Sequence, residues 1–415
     1  MASRRSLYGL DWLNFFVANV QTGFGPFVAV YLTLHRWTDL QIGAMLSLGT
    51  VVAMASQLPA GALVDWMTGK RWAAAMAIGA IGTAATLFVV LPTEFGIGLA
   101  EILHGFASCM LNQAIAAISL GLVARRLLGE RLGRNARFAS LGNGLSAAVM
   151  GISGYYLAGT SVFVLTAVLA VPALVALSTI EAGTPAPSAT ARGKPARQSL
   201  RELGRLILDR RLLGFMACIA FFQLADAAML PFIGNRIAAG GGHIANLVIG
   251  GAIVLPQLVV AGLSPAVGRA AERYGRRWVL LVAFAAEPLR AILFAAVTPA
   301  LALMAIQSLD GVGAAAIGVL LPLIAADIAA DRGHFNLTMG AIGLAAGGGA
   351  AVSTTLAGWV DQMVGNRAAF VALAAAGLIA TLLVWLIMPE TGPGAPPSAH
   401  APAARAGAQP VSPSS

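Results

Sequence analysis

The stretch Gly268-Arg269-Ala270-Ala271-Glu272-Arg273-Tyr274-Gly275-Arg276-Arg277 is a short charged island between two long apolar runs, residues 244–268 and 277–297. Each run matches the roughly 20 apolar residues a helix needs to cross the hydrocarbon core of a bilayer. The island therefore reads as a surface loop joining two spans. Outward from it the same alternation recurs: residues 9–34, 40–62, 72–92, 95–124, 136–158 and 161–181 before the middle of the chain, then 211–237, 244–268, 277–297, 299–328, 334–361 and 366–388. The expected fold is all-α and integral to the membrane, with twelve transmembrane helices. Of 415 residues, 58% are hydrophobic and 10% charged, against roughly 25% charged in a soluble domain. A membrane barrel would instead show short segments of alternating polarity, and these runs are too continuous for that.

The formal net charge of +9 would point to nucleic acid in a soluble chain, but here its distribution gives a different reading and no nucleic-acid partner is expected. If both ends of the chain share one side, 22 of the 26 Lys and Arg fall on that side, from Arg4 and Arg5 through Lys70, Arg71 and Arg125–Arg137 to Arg405. The opposite loops hold Arg36, Arg236 and Arg367. The positive-inside rule then places both termini in the cytoplasm of a bacterial inner membrane and requires an even number of spans. Cys109 and Cys218 lie inside apolar runs without a metal-ligand spacing, so they read as packing residues. Residues 1–181 form an expected first six-helix bundle, 182–209 a Pro- and Arg-rich cytoplasmic linker, 210–388 a second bundle, and 389–415 a disordered tail.

The two halves read as a duplication. A shift of about 206 residues lays Gly61 and Asp65 on Gly268 and Glu272, and His104-Gly105 on Asp310-Gly311, and brings Gly133-Arg134 near Arg332-Gly333. The island is Gly, three residues, an acid, Arg, one residue, Gly, then two cations. Its first-half copy, Gly61 to Arg71, keeps Asp65, Gly69, Lys70 and Arg71, puts Trp66 where Arg273 stands, and has one extra residue before the glycine. This pattern, the repeat and the twelve spans resemble the major facilitator transporters. The resemblance implies two pseudo-twofold-related bundles, with Asp65 touching the start of the eleventh helix and Glu272 the start of the fifth. The loop residues Gly61, Asp65, Lys70, Arg71, Gly268, Glu272, Arg273, Gly275, Arg276 and Arg277 would form a conformational latch. Physically, a carboxylate set against a helix N-terminus gains from the helix dipole.

In that fold the first, fourth, seventh and tenth helices line a central cavity, and they carry most of the polar side chains found inside spans: Asn14, Asn19 and Gln21; Glu101, His104, Asn112 and Gln113; Gln223 and Asp226; Gln307 and Asp310. An ionisable group at such depth is costly and marks a pathway or a pair. Asp226, with no cation within a helical turn of it, is the expected proton-coupling residue. Glu101 and His104, three apart, could pair on one helix face, and with Asp310 could meet substrate across the axis. Glu287 and Arg290, three apart in a ninth helix expected to be peripheral, read as a structural pair that cancels its own charge. Asp11, Asp327 and Asp361 lie near span ends, where they could reach water or headgroups.

No phosphate loop, metal cluster or nucleophile triad is legible, so no enzyme, metal or cofactor is expected. The function read from these residues is secondary active transport of a small organic solute by alternating access, coupled to protons and directed outward as efflux or antiport. The alternatives are an uptake permease and a non-transporting receptor that keeps the fold. The expected partners are the solute, protons and membrane lipid, with a monomeric chain.

Overall fold

The computed structural model describes residues 3–22, 24, 26–156, 160–181, 208–239, 243–330 and 334–391. No strand occurs among them. The expected linker, the expected tail and the Arg332-Gly333 match fall largely or wholly outside the described residues.

Among the described residues, ten helices are long and apolar enough to cross a membrane by length and composition. The first and fifth spans complete the twelve. The first is described as Arg4–Thr22 and Pro26–Leu34. The fifth, Leu128–Tyr156, carries Arg131, Arg134 and Arg137 in its opening turns. The remaining spans of the first half are Asp39–Trp66, Lys70–Val90, Glu94–Leu122 and Thr160–Ser178. In the second half the seventh is Arg210–Asp226 with Met229–Ala239, the eighth His243–Tyr274, the ninth Arg276–Ala296, the tenth Ala300–Gln307 with Asp310–Ala329, the eleventh Phe335–Val364 and the twelfth Asn366–Leu386. The seventh and tenth runs were expected to be continuous; both are interrupted within the span.

Local chemistry sets the helix ends. Thr38 and Gln41 form a reciprocal capping box at the second span, Thr93 accepts from Gly96 N at the fourth, and Asp209 accepts from Arg211 N at the seventh. Gly275 takes φ 93° between the eighth and ninth spans, a left-handed backbone that disfavours any Cβ. Gly69, its counterpart, sits at φ −108°; the one-residue insertion before it removes the need for the left-handed turn.

Packing within each half follows one plan. The first span lies against the fifth and sixth, the fourth against the second and third, and the third against the sixth; the seventh, tenth and ninth repeat this with the eleventh and twelfth, the eighth and ninth, and the twelfth. Between halves, the second span packs on the eleventh and the fifth on the eighth, two contacts that a twofold axis interchanges. Ser3 Oγ lies 2.9 Å from Glu181 Oε1, and Arg276 N donates to Glu390 Oε1 at 2.8 Å, so the start of the first span, the end of the sixth, the start of the ninth and the end of the twelfth share one end of the bundle. Large apolar side chains left exposed, such as Trp72, Val171, Val282 and Val371, face outward, where lipid takes the place of water.

Candidate functional site: a charge cluster at two helix breaks

The seventh span ends its first segment on Asp226, and the tenth begins its second segment on Asp310. The freed backbone at the seventh break is satisfied by Ser353 of the eleventh span, whose Oγ accepts from Ala228 N at 3.1 Å. Irregular backbone at this depth is tolerated where such partners or a cavity receive it. Between the two breaks the ninth span inserts Arg290. Its Nη2 donates to Asp226 Oδ1, and its Nη1 donates to Asp310 Oδ1 at 2.5 Å. Glu287 Oε2 lies 3.0 Å from Arg290 Nη2 as an ion pair without hydrogen-bond alignment. The side chains of Arg290 and Glu287 are 1% exposed, and those of Asp226 and Asp310 are 26% exposed. Two carboxylates are thus partly accessible, and their two partners are sealed.

Carboxylate oxygens of Asp226, Glu287 and Asp310 lie within 4.8 Å of one another, a spacing that could hold a metal ion. The Arg290 guanidinium already occupies the point on which they converge. One cation against three acids leaves an excess of two negative charges if all ionise. In a low-dielectric interior such an excess cannot stand unpaired. Protons or a bound cation must offset it.

Two readings from the sequence are corrected here. Asp226 does have a cation, brought by tertiary packing from a helix 64 positions away. The Glu287–Arg290 pair does not merely cancel itself, because the ninth helix turns this face toward the breaks and Arg290 has five N–H donors to share. Asp310 accordingly faces Arg290 within its own half; no hydrogen bond or ion pair joins it to His104.

In the first half, Glu101 and His104 do not form the pair their spacing permits. Glu101 is turned toward Gly49 of the second span, where a Cβ would collide with its carboxylate. His104 stacks on Phe24, with ring centroids 3.8 Å apart. Glu101 Oε1, His104 Nε2 and Ser108 Oγ are buried without hydrogen-bond partners. Below them, Gln21 Nε2 donates to Asn112 Oδ1 at 3.3 Å, joining the first and fourth spans, and Gln113 Nε2 donates to Gln57 O at 2.9 Å. Gln223 sits on the seventh span three residues before Asp226, partly buried. Asp11 and Asp327 do not reach water or headgroups: Asp11 is buried against Arg131 and Arg134, and Asp327 against Arg125 and Arg276. Each sits on the turn of its helix that faces a basic neighbour, which sequence position alone does not report.

The two loop acids take equivalent places. Asp65 accepts from Asn336 N at 3.3 Å, Asn336 Nδ2 at 2.7 Å and Leu337 N at 3.0 Å, at the start of the eleventh span. Glu272 Oε1 accepts from Gly129 N at 3.2 Å, at the start of the fifth. The paired glycines serve the same contacts: a Cβ on Gly61 would meet Asn336, and one on Gly268 would meet Gly129 backbone. Arg125 of the first half also pairs with Asp327 of the second at 2.8 Å. The loop cations act mainly within their own halves. Lys70 donates to Met67 O at 3.0 Å, Arg71 to Ser178 O at 3.4 Å, and Arg277 to Trp385 O; Arg276 joins Glu272 to Asp327, and Arg273 lies over the Tyr274 ring.

Two pseudo-equivalent six-helix bundles, with buried charge at helix breaks and crossed acid-to-helix contacts at one end, define the fold of a membrane carrier. The chain belongs to the Major Facilitator Superfamily, whose family model matches residues 10–240 and 223–413. It is 35% identical over 396 residues to an uncharacterised MFS-type transporter of Mycobacterium tuberculosis, covering 92% of this chain and 93% of that one. Among solved structures it is similar to the fucose:proton symporter FucP of E. coli, with TM-score 0.74, 15% identity, and coverage of 91% of this chain and 97% of the symporter. It is also similar to the human organic anion transporter TETRAN, with TM-score 0.69, 16% identity, and coverage of 92% and 99%. These two likenesses carry the fold. The protein is a membrane transporter and not an enzyme.

Proposed function

We propose that the protein is a proton-coupled exporter of small organic solutes, neutral or cationic, and that the Asp226–Glu287–Arg290–Asp310 cluster is where proton and solute compete. The carrying observation is the charge count at the two breaks: three acids converge on one guanidinium, and two of them, Asp226 and Asp310, stay partly exposed. A proton on Asp226 or Asp310 relieves the excess charge, as does an organic cation. Occupancy by one disfavours the other, which is the condition for exchange. No unpaired cation accompanies the cluster to favour an anionic solute.

In this reading the acid-to-helix contacts of Asp65 and Glu272 form a double latch that holds the terminus-bearing end closed. With both termini in the cytoplasm, the state described would be open outward. The test is transport in proteoliposomes with an imposed pH gradient and ethidium as the probe. Proton-driven ethidium movement should be lost in Asp226→Asn, while downhill exchange at equal pH persists. Unchanged pH dependence in Asp226→Asn and Asp310→Asn would overturn the coupling role. Uptake in the direction of the proton gradient would overturn the assignment as an exporter.

A further inference from the structure

At the terminus-bearing end, the first and sixth spans leave a groove of about 450 Å³ on the lipid-facing surface. Its floor is Gly9 with Ala176 and Thr179: a Cβ on Gly9 would collide with Thr179 Oγ1 and lie 3.1 Å from Ala176 O. One wall is Trp12, half-exposed and stacked on Phe16 at 5.9 Å; the other is Val175. The lining is almost wholly apolar, and Arg5 and the exposed Tyr8 stand at its mouth.

The charges around this mouth are not equivalent. Arg131 and Arg134 are taken up by Asp11, and Arg71 donates to Ser178 O. Glu181, the acid at the end of the sixth span, accepts from Ser3. Arg4 and Arg5 are exposed and make no ion pair or hydrogen bond among the described residues. An apolar slot with a rigid aromatic wall, opening on two adjacent uncommitted guanidiniums, matches a molecule with a hydrocarbon chain and an anionic head.

We propose that this groove binds one anionic phospholipid of the leaflet on the terminus-bearing side, an acyl chain lying between Trp12 and Val175 and the phosphate held by Arg5 with Arg4 beside it. Guanidinium matches phosphate oxygens through paired N–H donors. The lipid would fasten the first span to the sixth on the face opposite the central cavity, so it stands apart from the transport reading above.

The test is native mass spectrometry of the full chain released from nanodiscs of equal phosphatidylglycerol and phosphatidylethanolamine. Wild-type protein should retain one phosphatidylglycerol in preference to phosphatidylethanolamine. Removing one interfacial cation weakens such binding about fivefold, so Arg5→Ala should lower retention by that factor and Arg5→Glu by more. Val175→Trp, at a half-exposed position, should fill the slot and abolish retention while the melting temperature in detergent stays unchanged. Equal retention of both lipids, or retention undisturbed by Arg5→Glu and Val175→Trp, would overturn the site.

Discussion

At the scale of single residues, Arg290 decides most about the centre of the molecule. It is fully buried, yet every neighbour it binds through charge is an acid. Truncation leaves three carboxylates with no partner, and breaking a buried pair in this way costs about 3–5 kcal/mol. Arg290→Met should therefore melt well below wild type in detergent. Adding Asp226→Asn and Asp310→Asn should recover a large part of the loss, since those changes remove the charges the arginine offset. A double-mutant cycle showing no such recovery would mean that Arg290 matters through packing alone. Arg290→Lys should rescue only partly, because a point cation cannot face Asp226 and Asp310 at once as the fork does. Asp226 and Asp310 stood out in the sequence because an ionisable side chain inside an apolar run is costly and marks a pathway or a pair. Their shared arginine was not, because periodicity reports neighbours within a turn, and this contact joins helices 20 and 64 residues apart.

At the scale of elements, the contacts of Asp65 and Glu272 with the starts of the eleventh and fifth spans, which the family resemblance implied, are present, and the helix breaks were not legible. A motif of fixed offsets specifies backbone geometry: Gly268 for close approach to Gly129, Glu272 for its N–H, and Gly275 for the left-handed turn. The break in the seventh span, at Ala227-Ala228, lies four residues before Pro231, which has no N–H to offer the Ala227 carbonyl, while Ser353 receives the Ala228 N–H. The break in the tenth, at Ser308-Leu309, is closed by short turns to Gly311 and Val312, and a run of apolar residues does not report where such a turn falls. Two outcomes follow from the loop geometry. Gly275→Ala forces a Cβ into a left-handed turn and against the Glu390 carboxylate that caps the ninth span, and should cost about 1–2 kcal/mol of stability. Gly268→Val should act differently. Overpacking of this kind costs roughly 1–3 kcal/mol, but only in the state where the fifth and eighth spans touch. It should shift the population toward opening of the terminus-bearing end, seen as a longer spin-label distance between the fifth and eighth spans. An unchanged distance would show that the contact does not limit opening.

At the scale of the whole molecule, the pseudo-twofold axis turns one local device into two. The second span meets the eleventh through Asp65, and the eighth meets the fifth through Glu272, so each half grips the start of a helix in the other. The devices are equivalent in kind and unequal in strength. Asp65 accepts three bonds, two from backbone N–H and one from Asn336, while Glu272 accepts one from Gly129 and shares Arg276 with Asp327. A hydrogen bond to a charged group is worth about 1.5–3 kcal/mol, and sites with no common partner add. Asp65→Asn should therefore open the terminus-bearing end more than Glu272→Gln, and the double variant should open it by the product of the two single effects. Spin-label distances between the second and eleventh spans and between the fifth and eighth measure both populations directly. If the product holds, the halves move as rigid bodies held by two independent clasps. A double variant no more open than Asp65→Asn alone would place the whole closure on the second and eleventh spans and leave the Glu272 side following passively, so that the symmetry of the fold would not extend to its energetics.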